Sequence, residues 1–281
     1  MIVFPCAKIN LGLNVVSKRP DGYHNLESVF YPIPLYDALE VNQMSDEFPS
    51  DVNCDLKVTG NYVECSESDN LVVKAYQLLA KDFSLPRIHA HLYKQIPSQA
   101  GLGGGSSDAA FMIRLLDERF RLNIGIAEME RYAARLGADC AFFITAEPSY
   151  ATGIGDILAP ADGPLGNLNG YTLVVVKPDV AVSTREAYQQ ITPRKPAKSC
   201  RDIVRQPIET WKNELTNDFE ASVFALHPQL ADIKNRLYTI GALYAQMSGS
   251  GSALFGIFER KPIFDVTKVF EGMFTKVLTL K

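Results

Sequence analysis

The sequence predicts an α+β protein built in two parts, and three observations carry that expectation. Apolar and polar residues alternate cleanly over Ala7–Val15, the signature of a strand. The stretch PSQAGLGGGSSDAA, residues 97–110, runs directly into apolar residues at helical spacing, Ala109–Ile113, Leu115, Leu116 and Phe120. Around 159–169 the composition turns to Pro, Gly, Asp and Asn, and beyond it strands and helices alternate again. A chain of 281 residues suffices for one large domain or two ordinary ones. The composition shift places the division at 1–160 and 161–281.

Taken in order, Ala7, Ile9, Leu11, Leu13 and Val15 form one face of the first strand, and Lys8, Asn10, Gly12 and Asn14 the other. On alternation alone the polar face is expected to be solvated. Arg19-Pro20-Asp21-Gly22 is a turn, with proline presetting φ and glycine supplying φ > 0. It delivers Tyr23, His24 and Asn25 to a returning strand, Leu26–Ile33, and a lone histidine there is expected at the surface. Strands follow at Leu39–Val41 and Val52–Thr59. Ser68-Asp69 is expected to cap a helix carrying Leu71, Val72, Ala75, Leu78 and Leu79. Ile88–Lys94 is a strand feeding the glycine loop, and Ser106, Ser107 and Asp108 read as caps for the helix behind it. A further helix, Ile126–Leu136, ends at Gly137, and Asp139 reads as an N-cap ahead of the apolar run Cys140–Ile144.

In the second part, Thr172–Val176 is a buried-type strand and Ser183-Thr184 opens a helix through Tyr188. Pro193–Pro207, rich in Pro, Lys and Arg, is expected to be an exposed connection. Helices are expected near 209–215, 218–226, 228–240 and 264–270, and strands at 243–247, 253–258 and 275–280. The uncharged run Leu237–Phe258 is long enough to cross a bilayer, but its centre holds Gln246 and the sequence SGSGS at 248–252, so it reads as strand, loop, strand. That loop is either a β-turn or a second surface for a phosphate-bearing ligand.

Composition excludes several classes. Hydrophobic content of 47% with 21% charged residues describes a globular chain. A net charge of −4 argues against nucleic acid as a partner. The five cysteines are scattered and none forms a CxxC pair, which predicts reduced thiols in a cytoplasmic setting and neither a zinc site nor a disulfide framework. The N-terminus lacks the basic region of a signal peptide.

The glycine loop carries the chemistry. Gly101, Gly103, Gly104 and Gly105 allow backbone N–H groups to approach a ligand closely, and a helix N-terminus behind them favours an anion, most simply a phosphate. A Walker loop is excluded because no lysine follows Gly105, and the dinucleotide fingerprint fails at Ser106. A flexible linker would not lead directly into an amphipathic helix.

With these pieces in place the chain resembles the GHMP kinases, the superfamily of galactokinase, homoserine kinase and mevalonate kinase. The segments AKINLGLNV, RPDGYHNLESVF, GADCAFF and MSGSGSALFG narrow the resemblance to the branch acting on a cytidine diphosphate-linked methylerythritol, on the non-mevalonate route to isoprenoid precursors. The resemblance implies an N-terminal α+β domain like one of a ribosomal protein, a ferredoxin-like C-terminal domain, and an active site in the cleft between them. It implies Asp139 as catalytic base and Lys8 as its partner. Pro97, Ser98, Gln99, Ala100, Gly101, Leu102, Gly103, Gly104, Gly105, Ser106 and Ser107 become the ATP phosphate loop, with Asn70 and Lys94 near the adenine. Asn10, Tyr23, His24, Thr184 and Tyr188 become substrate contacts. The implied partners are ATP with Mg2+ and the small-molecule substrate, without nucleic acid or membrane; neither oligomeric state nor the metal's protein ligands are written in the motifs. Two rivals remain at this point: another small-alcohol kinase of the superfamily, and a nucleotide-binding module without chemistry.

Overall fold

The alternation over Ala7–Val15 is realised as the strand Cys6–Lys18, and the turn after it leads into a second long strand, His24–Tyr36. The computed structural model describes residues 1–49, 51–61, 65–161 and 168–280. They form two compact units that interleave along the chain. The first comprises Met1–Ala7, Leu35–Ser98 and Gly103–Glu147, and the second Lys8–Pro34, Gln99–Leu102 and the chain from Pro148 onward. The units therefore do not follow a single cut at 160/161, and residues 162–167 of the expected boundary stretch lie outside the described residues. The reason is where residues 8–34 find partners. Leu13 N–H donates to Thr216 C=O at 2.8 Å, Asp218 N–H to Leu13 C=O at 2.8 Å, and Leu13 and Val15 sit in one apolar core with Val174, Val176, Phe219 and Met247.

The first unit holds a four-stranded sheet in the order Ile2–Val3, Ala38–Gln43, Ile88–Lys94, Cys54–Gly60. The last pair runs parallel and the others antiparallel. Its helices are Leu71–Leu79, Gly104–Phe120, Ile126–Ala134 and the short Phe142–Thr145. The helix Gly104–Phe120 buries Ala109, Ala110, Met112, Ile113, Leu115 and Leu116, the face that the periodicity marks. The cap expected at Ser68-Asp69 is shifted. Asn70 takes that place, its side chain accepting from Val72 N–H, while Ser66 caps a 3₁₀ turn over Glu67–Asp69.

In the second unit, one sheet runs Cys6–Lys18, His24–Tyr36, Ser149–Thr152, Ile157–Pro160. The last two strands are too short to show in the sequence pattern. The other sheet is antiparallel throughout, in the order Tyr244–Met247, Leu254–Phe258, Thr172–Lys177, Phe274–Thr279. Numbered along the chain from Thr172, that order is 2-3-1-4. With helices after the first and third strands it is the ferredoxin-like arrangement that the resemblance implies. Leu237–Phe258 is the end of a helix, a strand, a loop and a strand, and among the described residues no helix is long and apolar enough to cross a membrane. Pro193–Pro207 is not wholly irregular: Ser199 caps the short helix Cys200–Ile203, whose first residue is fully buried.

Candidate active site

The helix behind the glycine loop starts earlier than its serines suggest. Gly103, at φ 72°, is its N-cap, and Ser106, Ser107 and Asp108 lie within its first turns rather than capping it. A left-handed residue admits the chain to the helix three positions sooner, and glycine takes that conformation at little cost. The first helical bond runs from Ser107 N–H to Gly103 C=O at 2.9 Å, and no side chain caps this end. The amides of Gly104, Gly105 and Ser106 thus lie ahead of the helical ladder, at the positive end of a helix of 17 residues. Among the described residues Ser107 Oγ is buried without a hydrogen-bond partner, and so is Asp108 Oδ1.

Pro97, half-buried, and Ser98, exposed, lead into the loop. Its middle, Gln99–Leu102, belongs to the second unit, where the other glycine loop holds it. Ala253 N–H donates to Ala100 C=O at 3.1 Å, Ser248 Oγ–H to Gly101 C=O at 2.8 Å, and Lys8 N–H to Leu102 C=O at 2.9 Å. A Cβ on Gly101 would stand 2.0 Å from Ser248 O, so the approach needs glycine on conformational and steric grounds alike. SGSGS is thus a turn that grips the first loop.

Asn70 and Lys94, expected near the adenine, have structural partners in the first unit. Asn70 Oδ1 caps the helix Leu71–Leu79, accepting from Val72 N–H at 3.0 Å. Lys94 is 4% exposed and its ammonium donates to both Asp37 Oδ2 and, at 2.6 Å, Asp108 Oδ2. Asp37 Oδ1 accepts from the N–H groups of Gln95 and Ile96 at 2.5 and 2.8 Å. This buried triad ties the end of the strand that enters the glycine loop to the helix that leaves it. Burial alone would lower the Lys94 pKa, but Asp108 and Asp37 together hold it above the ordinary lysine value. Burial pushes the Asp108 carboxyl up to about 8, with Lys94 opposing and Asp37 adding.

The face of the first strand expected to be solvated is buried: Lys8 is 3% exposed, Asn10 1% and Asn14 7%. Elements distant in sequence cover it. Gly12 N–H donates to Gln246 Oε1 at 2.9 Å, and Asn14 Nδ2 lies 3.2 Å from Cys200 Sγ. Lys8 Nζ donates to Asn10 Oδ1 at 2.6 Å and lies 5.0 Å from the centre of the Phe30 ring. The turn Arg19–Gly22 is held by an Arg19–Asp21 ion pair and by Tyr23 N–H donating to Asp21 Oδ1 at 3.0 Å. Tyr23 is 62% exposed. His24 is not the surface residue that its position suggests: it stacks on Tyr188 at 4.7 Å and 18°, and Tyr188 packs edge-on against Phe219. The structure thus brings together two sequence-predicted substrate residues, His24 and Tyr188. Thr184 is exposed at the start of Tyr188's helix, behind a capping box of Ser183 and Glu186. Asp139 is half-buried in a turn of the first unit; the helix Phe142–Thr145 begins after Ala141 with no side-chain cap, so the cap reading does not hold.

Two neighbours went unnoticed in the sequence. Glu27 accepts from Asn14 Nδ2 (3.0 Å), Cys200 N–H (2.9 Å) and Tyr150 O–H (2.7 Å). Burial first, and then this carboxylate, raise the Tyr150 pKa. Ser28, fully buried, accepts from Asn10 Nδ2. The available signal was a polar pair opening an otherwise apolar strand, Val29–Ile33. All five thiols are free, and no group of three or more His, Cys, Asp or Glu that could hold a metal occurs among the described residues.

Comparison with known proteins bears on the whole arrangement. Residues 70–147 match the GHMP kinases N terminal domain and 201–268 the GHMP kinases C terminal domain. The 4-diphosphocytidyl-2-C-methyl-D-erythritol kinase of Bacteroides fragilis is 54% identical over 282 residues, covering 100% of both chains. That of Parabacteroides distasonis is 50% identical, covering 98% of this chain and 97% of its own. A crystal structure of 4-(cytidine 5'-diphospho)-2C-methyl-D-erythritol kinase superposes with a TM-score of 0.81 at 28% identity, covering 100% of both. The mevalonate kinase of Methanococcus jannaschii shares the fold, at a TM-score of 0.70 and 12% identity over 100% of this chain and 98% of its own. Matched end to end by these relatives, the chain belongs to the GHMP kinases and, within them, to the 4-diphosphocytidyl-2-C-methyl-D-erythritol kinase family.

Proposed function

We propose that the protein transfers the γ-phosphoryl group of ATP to the 2-hydroxyl of 4-diphosphocytidyl-2-C-methyl-D-erythritol, in the cytoplasm. One observation carries the reading: identity of 54% over the entire chain to a kinase of that name. The geometry supports it. Such a transfer needs phosphates held, a hydroxyl aligned and charge neutralised, with little covalent work by the protein. The amides of Gly104–Ser106 hold the phosphates. Asp139 accepts the hydroxyl proton. Lys8 stabilises the ionised acceptor and the moving charge. The stack of His24 on Tyr188 presents a ring edge for a base, with Tyr23 and Thr184 beside it in the sequence motifs. Asn70 and Lys94 act near the adenine through the loop and helix they brace. We keep the division of the family's domains at 1–160 and 161–281 as a proposal about sequence regions, distinct from the interleaved compact units; it is compatible with the matched ranges 70–147 and 201–268.

ATP would bring Mg2+ with it. A hard cation takes oxygen donors, and the orphaned Ser107 Oγ on the phosphate helix fits as one of them, alongside phosphate oxygens. When bound it would neutralise phosphate charge.

The decisive assay is ATP turnover with the cytidine-linked substrate against its uridine analogue and a panel of free alcohols including homoserine and mevalonate. Turnover confined to the cytidine compound is expected. Preference for a free alcohol would return the chain to small-alcohol kinases, and no turnover of any would leave a nucleotide-binding module.

A further inference from the structure

A string of four groups in the second unit has a fixed hydrogen-bond direction. It begins at a backbone carbonyl, Gly12 O, which can only accept. Ser28 Oγ lies 2.6 Å from it, so the single hydroxyl proton of Ser28 is committed there. Toward Asn10, 2.8 Å away, Ser28 can then only accept, and the amide must turn its NH2 to Ser28. Its Oδ1 is thereby left facing Lys8 Nζ at 2.6 Å. Read from the other end, the answer is the same: an ammonium has three donors and no acceptor, so it requires the amide oxygen. The two ends agree on an orientation that an amide does not choose for itself.

The anchor of the string is rigid. Gly12 sits at φ +71°, and a Cβ there would fall 2.5 Å from Leu215 Cδ1 and 2.6 Å from Cys200 Sγ. Ser28 is 0% exposed and Asn10 1%, so bulk water does not replace a lost partner. A buried amide whose NH2 loses its acceptor can rotate, and rotation would aim a donor at the ammonium.

We infer that Ser28 is a positioning residue for Lys8: it fixes the orientation of the Asn10 amide, which in turn holds the Lys8 ammonium in place. The inference rests on the proposed catalytic role of Lys8. It gives Asn10 a task beyond substrate contact and gives Ser28, which touches no reacting group, a share in the rate.

The test uses the full chain with Ser28→Ala, Ser28→Thr, Ser28→Cys, Lys8→Ala and the double variant Ser28→Ala/Lys8→Ala. Ser28→Ala should lower kcat by about 10-fold, the scale of one lost buried hydrogen bond, while KM for ATP stays within about 2-fold. Ser28→Thr keeps the hydroxyl and should restore kcat. In the Lys8→Ala background, Ser28→Ala should cost nothing more, because the group it positions is gone. If Ser28→Ala does not fold, Ser28→Cys decides, since a thiol is a weaker donor and acceptor of similar size and should lower kcat without moving KM. Lys8→Ala severely impaired with Ser28→Ala and Ser28→Cys at wild-type kcat would overturn the inference alone. So would losses that simply multiply in the double variant. Wild-type activity in Lys8→Ala would instead remove the role assigned to Lys8, and the inference with it.

Discussion

Each compact unit buries a lysine beside the segments proposed to handle phosphate, and the partners seen for the two differ in kind. Lys94 is clamped between two carboxylates, Asp37 and Asp108. Lys8 donates to a neutral amide oxygen on Asn10 and lies over the ring of Phe30. A carboxylate partner neutralises an ammonium as it fixes it, so the charge of Lys94 is spent on joining strand to helix. The amide of Asn10 fixes the direction of the Lys8 ammonium. The arrangement at Lys94 suits a brace, and the one at Lys8 suits an aimed donor.

The comparison breaks first, and hardest, at the brace. Lys94→Ala leaves two buried carboxyl groups without their cation, and should cost about 3–5 kcal/mol in denaturant unfolding. A loss below about 1 kcal/mol would mean that the triad is relaxed and that Lys94 is available to a ligand. Lys8→Ala should do the reverse, costing less stability and more rate.

Next in size is the chemistry. Asp139→Asn should lower kcat by roughly 10²-fold or more with ATP affinity nearly intact, the usual scale for a positioned base. With Lys8→Ala the combined loss should fall well short of the product of the single losses if the two residues act as a unit. Full activity in Asp139→Asn would remove it from the mechanism.

Smaller effects are expected where the base would be read. His24→Ala breaks the stack on Tyr188 and removes the ring edge offered to the base, and should reduce kcat/KM for the cytidine substrate by about 10-fold, the scale of one lost hydrogen bond. Tyr23→Ala should act in the same direction, and neither should alter ATP binding. Equal turnover of cytidine and uridine forms, in a direct competition, would show that the site does not discriminate bases.

The smallest effect sharpens the brace. Asp108 has a folded pKa of about 8 against an ordinary value of 3.8, so between those values the folded chain binds more protons than the unfolded one. Its contribution to stability therefore falls as pH rises from about 4 to about 8. The melting midpoint of the wild type should drop more between pH 6 and pH 8 than that of Asp108→Asn, which has no proton to lose. Parallel curves would show that Asp108 does not titrate there.

Much of this was legible locally. Alternation located the first strand, and the crowding of Gly101 and Gly103–Gly105 located the loop and its helix. The ferredoxin-like order followed from the resemblance and stands in the sheet. What escaped is non-local. Nothing near Lys8, Asn10 and Asn14 tells that Gln246, Ser248 and Cys200 return to cover them, so a buried polar face looked like a wet one. The placement of His24 is non-local for the same reason, since its ring partner Tyr188 lies more than 160 residues on. Ser107 and Asp108 carried good capping chemistry, but a left-handed Gly103 made the cap unnecessary.

The covering of the first strand also sets a timetable for synthesis. Gly12 N–H waits for Gln246, 234 positions later, and Asn10 N–H for Ser248, 238 positions later. A ribosome adding about 5–20 residues per second needs on the order of 10–50 s to span that interval. For that time the nascent chain carries Asn10 and Gly12 on a strand whose cover has not been made. Meanwhile the sheet of Ile2–Val3, Ala38–Gln43, Ile88–Lys94 and Cys54–Gly60 has all its strands by residue 94. One unit can mature on the ribosome, whereas the other is a task for the finished chain, and a stop codon shortly before Gln246 would forfeit a strand made at the very start.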